Sequence, residues 1–561
     1  MSPLLSLRDL TIRYPGPPSQ RAAVSGLNLD VSAGETVALV GESGCGKSTT
    51  ALSLLRLLPP AAQVGGRILL DGRDLASLDE PAMVGLRGNT VSMIFQEPMT
   101  SLNPVSSVGA QLVEALRLHL PLSPAAARAR AVELLEQVRL PEPQRRFHAY
   151  PHQLSGGQRQ RVMIAMAIAC SPRLLVADEP TTALDVTVQA QILELLDTLR
   201  RELSMAMLLI THDLGVVAQW ADRVAVMHDG IKVEENTTQA LFEAPSHPYT
   251  RGLLGASLSF SQDAHYRHAR LPEIRVERQG DGAAVAFRLE RPPVHQQARA
   301  RVADQAPLLR VEDLHVRHTS ASSDVHAVRG VSFAIGEGET VGLVGESGCG
   351  KSTLAKAILR LTQAESGAIR FDGVDLAALD RNAMRPLRGA MQLVFQDPYG
   401  SLNPRRTVAE LLDGALRIHG VADRRERARR ATAMLDRVGL PATALRRHPH
   451  EFSGGQRQRI GIARALVLKP RLLICDEPVS ALDVSVQAQV LNLLADLQAE
   501  FGLSYLFISH DLGVVRYIAD RVLVMQHGQL VEAGEQRQIW ERPAHPYTRA
   551  LLDAVPRPRF H

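Results

Sequence analysis

Short apolar runs recur along this chain, and each is followed by a stretch whose apolar positions fall at helical spacing. Glu35-Thr-Val-Ala-Leu-Val40 and Glu339-Thr-Val-Gly-Leu-Val344 read as buried strands, with helices predicted over Thr50–Arg56 and Leu354–Arg360 behind them. Further apolar runs occupy Arg173–Ala177, Met207–Thr211, Arg471–Cys475 and Tyr505–Ser509. Strands alternating with helices predict an α/β fold with a largely parallel sheet. A mostly helical stretch interrupts the alternation from about Pro98 to His152 and again from Pro398 to His450. Its amphipathic segments, such as Ala131–Val138, mark it as a helical subdomain inserted into the α/β core.

The pattern is written twice. Leu10–Tyr14 aligns with Leu314–His318, Phe95–Pro98 with Phe395–Pro398, and Ser155–Arg161 with Ser453–Arg459. Asp178–Pro180 aligns with Asp476–Pro478, and His247–Leu254 with His545–Leu552. The offset drifts only from 304 to 298 residues, so the halves are duplicates with small loop changes. The expected division is a first domain at 1–255, a linker at 256–306 and a second domain at 307–561. The linker has weak periodicity and many Arg, Gln, His and Pro residues, although Leu271–Leu289 fits a hairpin turned at Gly280-Asp-Gly282.

Composition narrows the class. With 561 residues the chain holds about two to four domains. It is 45% hydrophobic and 22% charged, as expected of a globular protein, and its net charge of +4 is too mild to indicate nucleic-acid binding. Aromatics make up only 4%, which leaves few platforms for stacking single-stranded bases. The four cysteines form no CxxC pair, so neither a metal cluster nor a disulfide framework is expected, and a reducing cytoplasm is. No apolar run approaches the ~18 residues that span a bilayer, and the N-terminus does not read as a signal peptide. The charge of the basic run Asp423–Arg430 is interrupted by Asp423 and Glu426, which favours a solvated helix face over a lipid- or nucleic-acid-binding one.

The chemistry sits at the strand ends. Gly41, Ser43, Gly44, Cys45, Gly46, Lys47, Ser48 and Thr49 recur, letter for letter with the intervening Glu, as Gly345, Ser347, Gly348, Cys349, Gly350, Lys351, Ser352 and Thr353. Both fit G-x-x-x-x-G-K-[ST], in which glycines let backbone N–H groups close around phosphates. The following helix adds its positive end. Lys47 and Lys351 can reach the β- and γ-phosphates, and Ser48 and Ser352 can offer a hydroxyl to Mg²⁺. Two apolar strands end in paired carboxylates, Asp178-Glu179 and Asp476-Glu477. In each pair the first suits Mg²⁺ and the second suits a general base for water. His212 and His510 each close an apolar run and precede Asp-Leu-Gly-Val-Val, which favours a γ-phosphate contact. Ser155, Gly156, Gly157 and Gln158, and again Ser453, Gly454, Gly455 and Gln456, open helices whose N–H groups can meet an anion.

With these residues in view, the chain resembles the ATP-binding-cassette (ABC) ATPases over both halves, every signature element in order. The resemblance implies two P-loop NTPase domains in tandem, each an α/β core with a helical insert, using ATP and Mg²⁺. It implies that the Ser-Gly-Gly-Gln helix of one cassette completes the nucleotide site of the other, so that Lys47 pairs with Ser453 and Lys351 with Ser155 in an intramolecular dimer. Gln96 and Gln396 resemble the glutamines that sense Mg²⁺ and touch the membrane partner. Asp178 and Asp476 resemble the Mg²⁺ carboxylates, Glu179 and Glu477 the catalytic bases, and His212 and His510 the switch histidines. Asp185 and Asp483 look like residues that signal across the dimer, and Tyr14 suits the aromatic that stacks on adenine. His318 replaces that aromatic in the second half, and Phe452 replaces the signature leucine. Both halves keep the lysine and glutamate, so two competent sites are expected.

Gln-Glu-Pro-Met-Thr-Ser-Leu-Asn-Pro104, its counterpart ending at Pro404, and the paired His-Pro-Tyr-Thr-Arg segments resemble the oligopeptide, dipeptide and nickel importers. That resemblance implies a peripheral subunit on the cytoplasmic face of a bacterial inner membrane. Its partners would be two integral membrane permease subunits and a solute-binding protein, with no nucleic acid. Relatives of the first ATPase often carry a Cys-rich stretch; 256–306 has no cysteine, so no cluster is expected. The rival is a soluble tandem-cassette ATPase acting on ribosomes or DNA, but the zinc cysteines, coiled coil or long charged linker of such proteins are not seen.

Overall fold

A computed structural model of the chain describes residues 2–16, 21–182, 184–258, 265–279, 284–294, 306–320, 323–480 and 482–556. The chain divides into two compact units, one running to Leu254 and the other spanning Gly255–Val555.

In the first unit a six-stranded sheet runs in the order Ile231–Thr237, Arg223–His228, Thr36–Gly41, Ala206–Ile210, Leu174–Asp178, Val91–Ile94. All neighbours are parallel except the Ile231–Thr237 edge, which is antiparallel. The continuous Val, Leu and Ile runs seen in the sequence are explained by position: the inner strands Thr36–Gly41, Ala206–Ile210 and Leu174–Asp178 are buried throughout, so both faces demand apolar side chains. One face is covered by an antiparallel sheet ordered Val24–Val31, Leu5–Arg13, Gln63–Leu70, Arg73–Asp74, with Leu5, Leu7, Leu27, Leu39 and Ile210 in the shared core.

Helix Lys47–Leu54 packs on this same side, with Ala51 and Leu54 in that core, and the other face carries the helical insert. The stretch from Pro98 to His152 contains Val108–His119, Pro124–Gln137 and shorter turns of helix. Leu112, Leu116, Ala131, Leu134 and Leu135 from this insert share a core with Ile94 and Leu175 of the sheet. Each fully buried leucine there contributes about 1.5–3 kcal/mol. Ser107 and Ser123 cap the two longer helices through Ala110 and Ala126 N–H.

The second unit repeats this plan, its six-stranded sheet ordered Met391–Val394, Leu472–Asp476, Ser504–Ile508, Thr340–Val344, Arg521–Gln526, Gln529–Glu535. The helices after the glycine-rich loops are Lys47–Leu54 and Lys351–Ile358. They begin three residues before the predicted starts and end before Arg56 and Arg360, both at positive φ (52° and 50°). The basic run forms the start of helix Arg424–Arg437, capped by Asp423. Arg429 and Arg430 pair with Glu426 and Arg427 with Asp413, as a solvated face would.

The stretch between the repeats contains built structure. Glu273–Gln279 and Ala284–Glu290 pair antiparallel, as expected for a hairpin there; its Gly280-Asp-Gly282 turn lies outside the described residues. Tyr266 and Leu271 are buried in the second unit's core, beside Leu491 and Tyr517. No helix among the described residues is long and apolar enough to cross a membrane.

Candidate functional site

In each half the central strand delivers the glycine-rich loop to the carboxyl edge of the sheet, where open α/β sheets bind ligands. Gly41 and Gly345 turn the chain there at φ 150° and 152°. A Cβ on either would collide with a backbone carbonyl oxygen, that of Met227 or Met525, so glycine is obligatory. The loop lysines are buried at about 5–6% exposure, and their ammonium groups donate to loop carbonyls. Lys47 Nζ lies 2.8 Å from Gly41 O and 2.9 Å from Glu42 O; Lys351 Nζ lies 2.7 Å from Gly345 O and 2.9 Å from Glu346 O.

The neighbouring strands bring in the carboxylates. Ser48 Oγ donates to Asp178 Oδ1 at 3.1 Å, and Ser352 Oγ to Asp476 Oδ1 at the same distance. Hydroxyl and carboxylate oxygens converge at the loop mouth, and this hard oxygen pair fits Mg²⁺, which keeps waters and phosphate oxygens as its other ligands. Burial pushes Asp178 up to about 6; the Ser48 bond opposes the rise and the Glu179 charge reinforces it. Asp476 is raised by burial in the same way.

Glu179 and Glu477 sit in the left-handed region at φ 47°, an unfavourable conformation for a non-glycine residue that recurs at functional sites. The Glu179 N–H donates to Ile210 O and the Glu477 N–H to Ile508 O, both at 2.9 Å, which anchors the turn. Gln96 Nε2 donates to Glu179 Oε2 at 2.8 Å, and Thr182 Oγ1 donates to the same oxygen at 2.9 Å. His212 Nδ1 lies 3.3 Å from Glu179 Oε1. In the second half Gln396 Nε2 reaches Glu477 Oε2 at 2.9 Å and His510 Nδ1 lies 3.0 Å from it. Burial alone would raise Glu179, but the His212 contact, with Thr182 and Lys47, reverses this and holds it down to about 2. Glu477 is lowered against its burial by His510, and His510 is raised against its own burial by Glu477.

The structure thus gathers Lys47, Ser48, Gln96, Asp178, Glu179 and His212 at one mouth, and their counterparts at another. Ser155 and Gln158 form a separate group at the start of helix Gly156–Ile168. There the Gln158 N–H donates to Ser155 Oγ and the Ser155 N–H to Gln158 Oε1, a reciprocal cap repeated by Ser453 and Gln456. Asp185 and Asp483 start the helices Val186–Glu202 and Val484–Phe501. Tyr14 lies exposed beyond strand Leu5–Arg13, and His318 Nε2 stands 3.4 Å from Thr353 Oγ1. Three residues that the sequence reading did not place at these sites reach them: Thr182 on Glu179, and Tyr249 and Tyr547 on the glycine-rich loops. The tyrosine and hydroxyl positions recur in the repeat, with Ser480 at the place of Thr182, and that recurrence was the available signal.

The family described as ABC transporter matches residues 24–182 and 328–480. The oligopeptide/dipeptide transporter C-terminal region matches residues 233–282 and 531–561. The glutathione import ATP-binding protein GsiA of Escherichia coli (strain K12) is 49% identical over 572 residues, covering 99% of this chain and 89% of the relative. The protein of the same name from Shigella dysenteriae serotype 1 (strain Sd197) matches at the same identity and coverage. Among solved structures, cbiO1 from Clostridium perfringens, part of the ABC transporter complex cbiONQ, is 29% identical with a TM-score of 0.39, covering 43% of this chain and 93% of that one. A dimeric post-hydrolysis state of the cassette MJ0796 bound to ADP and Pi is 28% identical with a TM-score of 0.38, covering 41% of this chain and 99% of that one.

Proposed function

The chain belongs to the ABC transporter family as the ATP-hydrolysing subunit of an importer, and from that premise we propose that it powers uptake of glutathione or a small peptide of similar size and charge. The substrate class rests on the 49% identity to glutathione import ATP-binding proteins across nearly the whole chain. An importer's ATPase works with membrane permease subunits; a solute-binding protein that delivers the cargo, and a position at the cytoplasmic face of the inner membrane, complete the reading.

The observation that carries the mechanism is that one constellation is built twice at matching distances: lysine on its loop, serine against aspartate, and glutamate held by glutamine and histidine. Lys47 and Lys351 bind the outer phosphates of ATP. Ser48, Asp178 and Gln96, and likewise Ser352, Asp476 and Gln396, hold Mg²⁺, which when bound neutralises phosphate charge. Glu179 stays ionised at neutral pH and is oriented by Gln96 and His212 to accept a hydrogen bond from the attacking water. The Ser453–Gln456 helix start closes the Lys47 site, and the Ser155–Gln158 start closes the Lys351 site, so the halves act as an intramolecular dimer. Tyr14 stacks on adenine at the first site.

The test is to produce the chain with its permease subunits, reconstitute the complex in liposomes and measure ATP turnover with solute-binding protein plus glutathione, dipeptides, longer peptides or nickel chelates. Stimulation by glutathione or short peptides is expected. Stimulation by none of them, or co-purification with ribosomal RNA or DNA in place of permease subunits, would overturn the reading.

A further inference from the structure

The His-Pro-Tyr segments lie far along the chain from the glycine-rich loops, yet each sends one atom into a loop. The Glu42 N–H donates to Tyr249 Oη at 3.3 Å, and the Glu346 N–H to Tyr547 Oη at 3.0 Å. These are the N–H ends of the Gly41–Glu42 and Gly345–Glu346 peptide groups. The carbonyl ends of the same two groups accept the lysine ammoniums, at 2.8 Å and 2.7 Å. Tyrosine and lysine therefore hold opposite poles of one peptide plane, an arrangement in which each bond polarises and strengthens the other.

The tyrosines are themselves held. Glu234 Oε1 accepts the Ser246 N–H at 2.7 Å and Oε2 the His247 N–H at 3.0 Å, which fixes the entry to helix Pro248–Ala256. His247 Nδ1 then accepts the Tyr249 N–H at 3.2 Å. Glu532 repeats this on Ala544 and His545, and His545 Nδ1 accepts the Tyr547 N–H at 3.2 Å. Tyr249 is fully buried, and its ring meets that of His228 edge-on at 4.5 Å. Each residue type has a physical reason at its position. Histidine caps the helix, proline starts it, and only a tyrosine there supplies a phenol oxygen at loop height.

We propose that Tyr249 and Tyr547 are positioning residues for ATP binding, through which the oligopeptide-type C-terminal region sets the peptide plane that holds the loop lysine. The proposal rests on the assignment of the Lys47 and Lys351 loops as the ATP sites. It gives the paired His-Pro-Tyr segments a role inside the ATPase.

The test uses the full chain. Tyr249→Phe is made in a Lys351→Ala background and Tyr547→Phe in a Lys47→Ala background, so that Mg·ATP binding reports one site at a time. Each Phe variant is expected to weaken Mg·ATP binding roughly three- to tenfold, the range for one lost hydrogen bond. In the chain otherwise unaltered it is expected to raise KM for ATP while kcat stays within about twofold. The Glu42 or Glu346 amide is expected to exchange its hydrogen faster, with the unfolding temperature unchanged because the ring remains. Unchanged Mg·ATP affinity, or a loss that scales with a lowered unfolding temperature, would overturn the positioning role. The Lys47→Ala, Lys351→Ala double variant separates the premise: if it still binds Mg·ATP normally, the loop assignment itself fails.

Discussion

Asp222 and Asp520 occupy equivalent places, each accepting the N–H of the residue that starts the central strand: Thr36 at 2.8 Å and Thr340 at 2.9 Å. Asp520 does more. It also accepts two hydrogen bonds from Arg267, at 2.6 and 2.8 Å, and one from the Tyr266 phenol at 3.1 Å. Nearby, Arg270 pairs with Asp496 at 2.8 Å, and Asn492 bonds both the N–H and C=O of Leu271, at 3.0 and 2.8 Å. In the first half the counterparts of Asn492 and Asp496 are Glu194, which is exposed, and Thr198, whose hydroxyl turns back onto Glu194 O. The chemical constellations of the two halves agree to within a few tenths of an ångström while their outer surroundings diverge. The lesson is that geometry at the loop mouths is fixed by the repeated motifs, whereas the segment joining the repeats has been taken into the second unit's fold.

The symmetry of the sites is the first thing to try to break. Glu179→Gln with Glu477→Gln is expected to keep ATP binding and lower turnover by about a hundredfold or more, the range for a removed base. Steady-state phosphate release measures it, with each single variant alongside. Near-normal turnover in the double variant would remove the base assignment. A single variant that loses as much as the double would show that one half does all the chemistry.

The asymmetry of the surroundings is tested next. Arg267→Ala leaves Asp520 without its guanidinium, and is expected to destabilise the second unit by about 1–3 kcal/mol. Denaturation followed by hydrogen exchange should show the loss in Gly255–Val555 and not in the first unit; a loss confined to the first unit, or none, would dismiss the anchoring role of Arg267. The same contrast has an alkaline signature. Burial raises the Tyr517 phenol to about 12 and raises Tyr505 and Tyr266 as well, whereas Gln219 and Met207 stand at the places of Tyr517 and Tyr505 in the first half. A phenol whose folded value lies above the ordinary 10.0 contributes stability that is complete below pH 10 and is lost as pH climbs through about 12. The second unit should therefore unfold first in that window, with tyrosinate absorbance rising in step.

The smallest effect concerns adenine. His318→Tyr should tighten nucleotide binding at the second site about two- to tenfold if it restores an aromatic platform like Tyr14. Calorimetric titration with Lys47→Ala silencing the first site would read it; unchanged affinity would mean that another residue covers the base.

What the sequence determined by itself was local and periodic. Apolar runs ending in Gly41 or Asp178, helical spacing through Ala131–Val138, and two copies of each motif identify strands, insert and the residues gathered at the two loop mouths. The hairpin expected over Leu271–Leu289 was legible only through its Gly-Asp-Gly turn, a signal between neighbouring residues, and its strands pair as Glu273–Gln279 with Ala284–Glu290. Tertiary structure decided which of these residues meet. Nothing near Glu179 announces that its backbone takes φ 47° or that Gln96, 83 residues away, orients its carboxylate. Nothing in the composition of residues 256–306 says that Arg267 reaches Asp520 across 253 residues, or that Asn492 is buried beneath Leu271 while Glu194 faces water. Periodicity records which face of an element is covered; the identity of the partner depends on sheet order and chain crossing, which bring together groups that no local pattern links.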